Sequence, residues 1–487
     1  MNNRNDVQEF ILKIERNFDV NSWRIYDVRV WPIVRIKLFL AIISKLENFD
    51  KHRLSTKISD GKSIFIFFKS ILSLPRLLLF FKNLKARKFL FFGYENHRIV
   101  FNDSNYNRFF DTIISSVNIK NESYAFDFGS RKYYNVCNSE IFNKLDKLLH
   151  TFFQFYKLKL KFFPFSKKTK LDGYAGFINY IKSNNFTSEI TCLIEENVLK
   201  IQIKDLLINS KFFEKILLKT QPYKVFMLNY YSEKFFALNH ACYNIGIDSI
   251  DMQHGPQAGT HLAYANWSEV PNKGYELLPK YFWSWDEFSF SSTNNWTITN
   301  SHHKSIQYGN PWVDYFVINS NKYSDYQNQD FILYSLQPLS YDKLFPKNII
   351  DIISKSTLKW FFRLHPNQIK DKDNLVKYFE DKGVLHKIDI DKATNDPLPV
   401  LLSNCLIHIS NYSGCIIEAS LLNKFSIILN EIGRDNFNDL INLKKAIYIN
   451  ANELTIEKLQ DHIKNNISNF SKKNKLSFHD YFKLIIY

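Results

Sequence analysis

Residues Cys405–Asn430 read CLIHISNYSGCIIEASLLNKFSIILN. An apolar run of strand length, Cys405–Ser410, gives way to the small polar stretch Ser410-Asn411-Tyr412-Ser413-Gly414, then to a helical stretch and a second strand-like run, Phe425–Asn430. Short continuous apolar runs predict strands buried on both faces, as a parallel sheet covered by helices requires.

The same alternation extends on both sides. Strands are predicted at Phe331–Leu336, Leu358–Pro366 and Val384–Ile390, with helices over Pro346–Ser356, Asp373–Gly383, Pro397–Asn404 and Leu454–Asn466. Regular βα alternation implies a doubly wound parallel sheet that holds ligands outside the carboxyl ends of its strands. Upstream of the polar spacer Asn319–Asp330 the pattern recurs: strands at Lys88–Tyr94, Tyr124–Phe128, Val225–Tyr230 and Asp248–Gly255, and within YFWSWDE and SIQYGNPW. Helices are expected over Glu189–Lys219 and Ser232–Gly246, and Gly309-Asn310-Pro311 reads as a turn. Residues 1–86 read as a helical preface in which Trp23, Val28, Trp31 and Val34 recur at helical spacing.

A chain of 487 residues exceeds one comfortable core. The expected fold is α/β: two Rossmann-like doubly wound parallel-sheet domains facing a cleft, 87–318 and 319–487, after a basic helical extension, 1–86. The 45 Phe and 27 Tyr beside only 13 Gly and 13 Pro describe a densely packed enzyme and set disorder aside. Five scattered cysteines form no ligand spacing, and MNNRNDVQEF has no apolar signal core, so a cytoplasmic protein is expected.

The net charge of +16 is concentrated. Gly61–Leu90 holds seven Lys/Arg and no acid, and Phe152–Lys170 again lacks Asp and Glu. Cations interleaved with Phe, Leu and Ile suit a segment lying on an anionic membrane surface, and interruption by Lys69, Pro75 and Arg76 argues against a spanning helix. Amphipathic helices with a solvated basic face explain the same runs. No nucleic-acid-binding signature accompanies the charge, so no nucleic-acid partner is expected.

The informative chemistry lies where loops follow strands. Arg363, His365 and Pro366 stand at one strand mouth, a cation and an imidazole suited to phosphate. Ser410, Asn411, Ser413 and Gly414 precede a helix, where free backbone N–H groups and the positive dipole end favour an anion, and Glu418 lies one turn further on, within reach of ribose hydroxyls. Simple N-capping explains either feature alone. In the first half Asp251, Gln253, His254, Gly255 and His261 follow a strand and, with Asn310, are expected to face the cleft; Asp251 and His254 are the candidates for base or nucleophile. A core histidine and a cap explain His254 and Asp251 equally. Glu195 and Glu196 are weaker candidates on a helix. P-loop, dinucleotide and nucleophile-elbow motifs are absent.

In order, QHG (Gln253–Gly255), the Trp-containing strand YFWSWDE, YGNPW (Tyr308–Trp312), RLHP (Arg363–Pro366) and SNYSGCIIEA (Ser410–Ala419) resemble bacterial capsule and lipopolysaccharide GT-B glycosyltransferases. The His-Pro motif with a Ser-rich loop is similar to transferases of CMP-activated Kdo and sialic acid. The similarity spans roughly Lys88 to Asn465. It implies a metal-independent sugar transfer from a nucleotide-sugar co-substrate, without other cofactor, to a lipid-linked or polysaccharide acceptor at the inner membrane face. His365 would contact the donor phosphate, Ser410, Ser413 and Gly414 the phosphate or sugar carboxylate, Glu418 the ribose, and Asp251 would be the catalytic carboxylate. The sialyltransferase acidic motif is missing from the first domain, which leaves inverting and retaining chemistry open. A CDP-glycerol-type transferase, a nucleotide-sugar epimerase and a non-catalytic glycan-assembly subunit remain alternatives.

Overall fold

The computed structural model describes residues 1, 3–46, 63–162, 164–165, 168–257, 259–320, 326 and 329–467. Parts of both acid-free runs (61–62, the side chains of 63–69, 163 and 166–167), most of the polar spacer and residues 468–487 lie outside the described residues. The chain divides into two units, Met1–Tyr308 and Gly309–Tyr487.

The first unit is built on seven strands: β1 (Phe89–Tyr94), β2 (Ser123–Phe128), β3 (Phe142–Lys144), β4 (Lys224–Met227), β5 (Asp248–Met252), β6 (Tyr281–Ser284) and β7 (Lys304–Gln307), in the order β3-β2-β1-β4-β5-β6-β7. Every neighbouring pair is parallel. Both faces are covered, so β1 and β2 read as nearly unbroken apolar runs. Phenylalanines fill the layers: Phe91 stacks on Phe226 at 4.8 Å, and Phe92 meets Phe126 at the same centroid distance.

The second unit has six strands, β8 (Phe331–Ser335), β9 (Lys359–Arg363), β10 (Ile388–Asp389), β11 (Ile407–Ser410), β12 (Ser426–Ile428) and β13 (Ala446–Tyr448), in the order β10-β9-β8-β11-β12-β13, all parallel. Tyr334, Trp360, Phe362, Phe379, Ile409 and Ile427 form its core. In each unit the chain first winds one way from a central strand and then crosses back to wind the other, which is the Rossmann order. Two such units give the GT-B type of α/β fold.

The N-terminal segment is part of the first unit rather than a preface to it. It comprises helices α1 (Arg4–Asn17), α2 (Trp31–Leu46) and α3 (Ser63–Asn83), with a hairpin of Arg24–Ile25 and Val28–Arg29 between α1 and α2. The helical spacing of Trp23 and Val28 is therefore coincidental: Tyr26 and Asp27 take left-handed conformations, turn the chain, and leave Trp31 to start the helix. Helix α2 is buried nearly all round. Its Arg35 and Glu15 of α1 are fully buried and joined at 2.8 Å; Arg35 also donates to the carbonyls of Leu262 and Asn266 and stacks on Trp267. Trp31 Nε1 and the Ser268 amide donate to the same carboxylate, so every charge has partners.

Four further helices of the first unit matter below: α4 (Asp146–Phe162), α5 (Glu196–Thr220), α6 (Glu233–Ile245) and the short Glu287–Thr297 helix that follows β6. The helix expected over Glu189–Lys219 is in two pieces, a 3-10 turn at Ser188–Leu193 and α5, whose first residue follows the extended Glu195. In the second unit, Gly309-Asn310-Pro311 is a helix start. Asn310 caps α7 (Pro311–Ile318) through its side-chain oxygen, and Pro311 takes the first position, where a missing N–H costs nothing. The expected strand Val384–Ile390 shrinks to β10, because Leu385–Lys387 forms a 3-10 turn and only Ile388 and Asp389 pair with β9 at the sheet edge. Helices α8 (Lys372–Asp381) and α9 (Cys415–Leu421) complete the frame needed for the sites.

Candidate functional sites at the strand-order reversals

Ligands in doubly wound sheets bind where the strand order reverses, outside the carboxyl ends of the two strands concerned. In the second unit that point lies between β8 and β11, and the loop leaving β11 is Ser410–Gly414. The Ser410 hydroxyl donates to the carbonyl of Ser335, the last residue of β8, at 2.9 Å. Tyr334 donates its hydroxyl to Asn411 at 2.9 Å, and a β-carbon at Gly433 would overlap the Asn411 carbonyl. His408, fully buried, bridges Ser335 and Ser426 at 3.0 and 2.9 Å. Burial pushes its imidazole down to about 3, so it stays neutral and serves as a spacer between three strands.

Two amides at this helix start are taken up within the loop and are not the free donors expected there. The Ser413 amide donates to the Ser410 hydroxyl and the Cys415 amide to the Ser413 hydroxyl, both at 3.3 Å. Small hydroxyl side chains compete for the N–H groups that a helix start would offer. Helix α9 has seven residues, too few for a developed dipole. Glu418 is buried one turn into it and accepts a long contact, 3.5 Å, from the Asn310 side chain. Asn310 thus stands beside Glu418 within the second unit.

Arg363 ends β9 but points its guanidinium at the carbonyls of Ala393 and Asp396, at 2.8 and 2.7 Å. His365 caps the 3-10 turn Pro366–Asp371: its Nδ1 accepts from the Asn367 amide at 3.2 Å, and its own amide donates to the Gln368 side-chain oxygen at 3.3 Å. Pro366 opens that turn and stops pairing, as expected. These bonds shape one wall of a cavity of about 570 Å³ at the carboxyl ends of β8 and β9. Ser340, Tyr341, Asn367, Gln368, Asp371 and Asn374 supply its polar groups, and α8 its floor. The volume and the sparse, convergent polar lining suit a small ligand. The sequence signal was the RLHP stretch itself; Tyr341 and Asn374 carried none.

In the first unit the reversal lies between β1 and β4. Tyr94, at the end of β1, donates to the Ser232 hydroxyl at 2.8 Å, tying that strand to the cap of α6. Around this point stand His97 after β1, His254 after β5, and His261. The His97 and His254 rings are 5.8 Å apart, and His261 packs on Tyr264, Phe39 and Tyr231. All three keep some exposure. Burial pushes His254 down to about 4 and His261 to about 3; it also holds His97 well below its usual range, with His254 and the Arg108 cation adding to the effect. They are therefore neutral imidazoles near pH 7, each with a nitrogen lone pair. His97 Nδ1 is buried without a hydrogen-bond partner among the described residues.

Neither His97 nor Arg108 was singled out from sequence, although His97 directly follows the first predicted strand. Arg108 is placed by the hairpin Arg98–Phe101/Ser104–Asn107, which a buried Arg98 holds through Asp111 at 3.1 Å and through Asp127.

Asp251, expected to be the catalytic carboxylate, is fully buried within β5. Its Oδ1 accepts from the Tyr230 amide at 3.0 Å, and burial raises it to about 8. A protonated acid closed off from solvent anchors the loop after β4 and cannot meet a substrate. Gln253 is likewise internal: it accepts from the Trp285 amide at 2.6 Å and donates to Gly255 and Ser289. Gly255 lies in open space, with nothing within 4 Å of an added β-carbon. Among the described residues no cluster of three or more His, Cys, Asp or Glu is arranged to hold a metal ion.

No protein-family model matches the chain, and no curated protein matches it. Among solved structures it is similar to the UDP-GlcNAc 2-epimerase of Methanocaldococcus jannaschii, with 15% identity over 82% of this chain and 98% of the other and a TM-score of 0.47. The Neisseria meningitidis UDP-GlcNAc 2-epimerase bound to UDP-GlcNAc gives 15% identity over the same shares and a TM-score of 0.45. MurG of Acinetobacter baumannii gives 9% identity over 78% of this chain and 90% of the other, with a TM-score of 0.39. At these distances no residue role passes from one protein to the other.

Proposed function

We propose that this protein is a nucleotide-sugar enzyme that moves a sugar from its nucleotide donor to a lipid-linked or polysaccharide acceptor of a bacterial surface glycan, at the membrane surface. The observation that carries the reading is the pair of neutral imidazoles, His97 and His254, beside Arg108 at the strand-order reversal of the first unit. A neutral imidazole is the group that general-base activation of a hydroxyl requires.

The acceptor hydroxyl gives its proton to one imidazole as its oxygen bonds to the anomeric carbon. The glycosyl–phosphate bond breaks, and the nucleotide leaves with the electron pair. In the second unit the cavity beside Asn367 and Asn374 receives the nucleotide, whose edges meet amide and hydroxyl groups. Resemblance to CMP-ulosonic acid transferases gains no support from this geometry, because His365 and the Ser410 and Ser413 hydroxyls already serve the backbone.

The test is a thermal-shift screen of the protein against CMP, CDP, UDP, GDP and dTDP, repeated on Asn374→Ala. A nucleotide present at about 100 times its dissociation constant stabilises the fold by roughly 2.7 kcal/mol. Stabilisation by one nucleotide that weakens in the variant supports the donor cavity, and the absence of any response overturns the reading. Turnover of the sugar donor without acceptor, giving an isomer, would point to an epimerase instead.

A further inference from the structure

Helix α3 carries its apolar residues on the outside. Leu72 is 83% exposed, Leu78 60% and Leu79 56%, and Ile71 and Pro75 share their face. The opposite face is the packed one: Ser70, Leu77 and Leu84 are buried, Phe80 stacks on Phe212 of α5, and Phe81 meets Phe152 of α4. Soluble proteins rarely leave such a contiguous leucine face uncovered without a partner for it.

The charge around this face is predominantly positive. Arg76, Lys82 and Lys85 are exposed on or just after α3, and the adjacent helix α4 ends in the exposed residues Leu158 and Phe162 interleaved with Lys157, Lys159 and Lys161. Neither acid-free run supplies a carboxylate, and Asp205 of α5, beside Lys157, offsets one charge. Lys215 of α5 adds a cation over the Phe81 and Phe152 rings. Among the described residues no helix is long and apolar enough to cross a membrane.

We infer that the outward face of α3, flanked by the carboxyl end of α4, docks the protein on an anionic lipid bilayer, with Leu72, Leu78 and Leu79 entering the headgroup region and Arg76, Lys82 and Lys157–Lys161 meeting lipid phosphates. A leucine face with a cationic rim fits that surface, because burial of the side chains and attraction to the headgroups act together. This deepens the membrane-surface element of the proposed function, on which it rests, by naming the face and the lipid chemistry. Its test needs neither donor nor acceptor, so failure of the docking face and failure of the transferase reading are told apart.

The experiment is sedimentation of the full chain with vesicles of equal parts phosphatidylglycerol and phosphatidylcholine, against pure phosphatidylcholine, at low and high salt. Two variants accompany it: Leu72→Asn with Leu78→Asn and Leu79→Asn, and Arg76→Glu with Lys82→Glu. All five positions are exposed, so melting curves should match the parent. The expected result is binding to the anionic vesicles that weakens with salt and falls by about tenfold or more in each variant. Equal binding to neutral vesicles, or no binding by the parent, overturns the inference. So does a dimer of the parent that the leucine variant dissociates while vesicle binding is absent, since the face would then be covered by a second copy.

Discussion

The Ser410 hydroxyl donates to the Ser335 carbonyl at 2.9 Å and accepts from the Ser413 amide at 3.3 Å, so one small side chain joins the two strands between which the order reverses and sets the first bend of the loop beyond them. Replacing Ser410 by Ala leaves a buried carbonyl and an amide without this partner. The expected cost is about 1–3 kcal/mol in urea unfolding, together with a smaller nucleotide-induced thermal shift. An unchanged unfolding midpoint would mean that the loop holds its shape without the bond.

His97→Gln and His254→Gln test the proton acceptor. Replacing the one that serves as base should lower turnover by roughly 10²–10⁴-fold while nucleotide binding to the second unit is retained. Turnover unchanged in both variants is the contrary outcome. Because His97 Nδ1 has no hydrogen-bond partner among the described residues, neither variant should destabilise the fold strongly. Asp251→Asn, which keeps the buried acceptor for the Tyr230 amide, should leave turnover near the parent value, whereas a catalytic carboxylate would not tolerate it.

The buried Glu15–Arg35 pair gives a prediction of opposite sense for single and double changes. Arg35→Met or Glu15→Leu alone strands a charge in the core and should cost about 3–5 kcal/mol. The double variant replaces both charges with apolar volume and should recover much of that loss. Denaturant melts of the three variants decide it, and additive losses would argue against a coupled pair.

Stability should peak near pH 6.5, far below the isoelectric point. His254 is held at about 4, and His261, His303 and His408 at about 3, against an ordinary 6.5, so between these values the unfolded chain binds more protons and acid destabilises the fold. Asp251 at about 8 and Asp314 at about 7 act in the opposite direction: from pH 4 upwards the folded chain keeps protons that the unfolded chain releases. The depressed imidazoles, His97 among them, outweigh the two raised carboxyls in acid; past about pH 6.5 their effect fades while that of the carboxyls persists, so stability declines toward pH 8. Melting temperature across pH 4 to 9 checks this, and a monotonic rise would contradict it.

The doubly wound units were legible because strands buried on both faces need unbroken apolar runs, and FILYSL, KWFFR and KFLFFGY have them. What escaped the sequence depended on partners far away along the chain. The amides at Ser413 and Cys415 looked available until the nearby hydroxyls were seen to take them. Asp251 looked reactive at a strand end, but β5 is covered on both faces and encloses it, while His254, just beyond the strand, keeps some exposure. His97 and Arg108 acquire meaning only from a fold that brings the loop after β1 beside His254, which follows β5. The helical spacing of Trp23, Val28 and Trp31 was overridden by a two-residue turn at Tyr26-Asp27.

The Arg35 contact to Leu262 also sets a timetable for synthesis. Its two ends are 227 residues apart, so at about 5–20 residues per second the nearly all-apolar α2 leaves the ribosome roughly ten to fifty seconds before the segment that covers it exists. During that interval both α2 and the leucine face of α3 are open to solvent. The nascent chain is thus most vulnerable to aggregation in its first quarter, and holding by a chaperone or early contact with lipid would protect the same two helices.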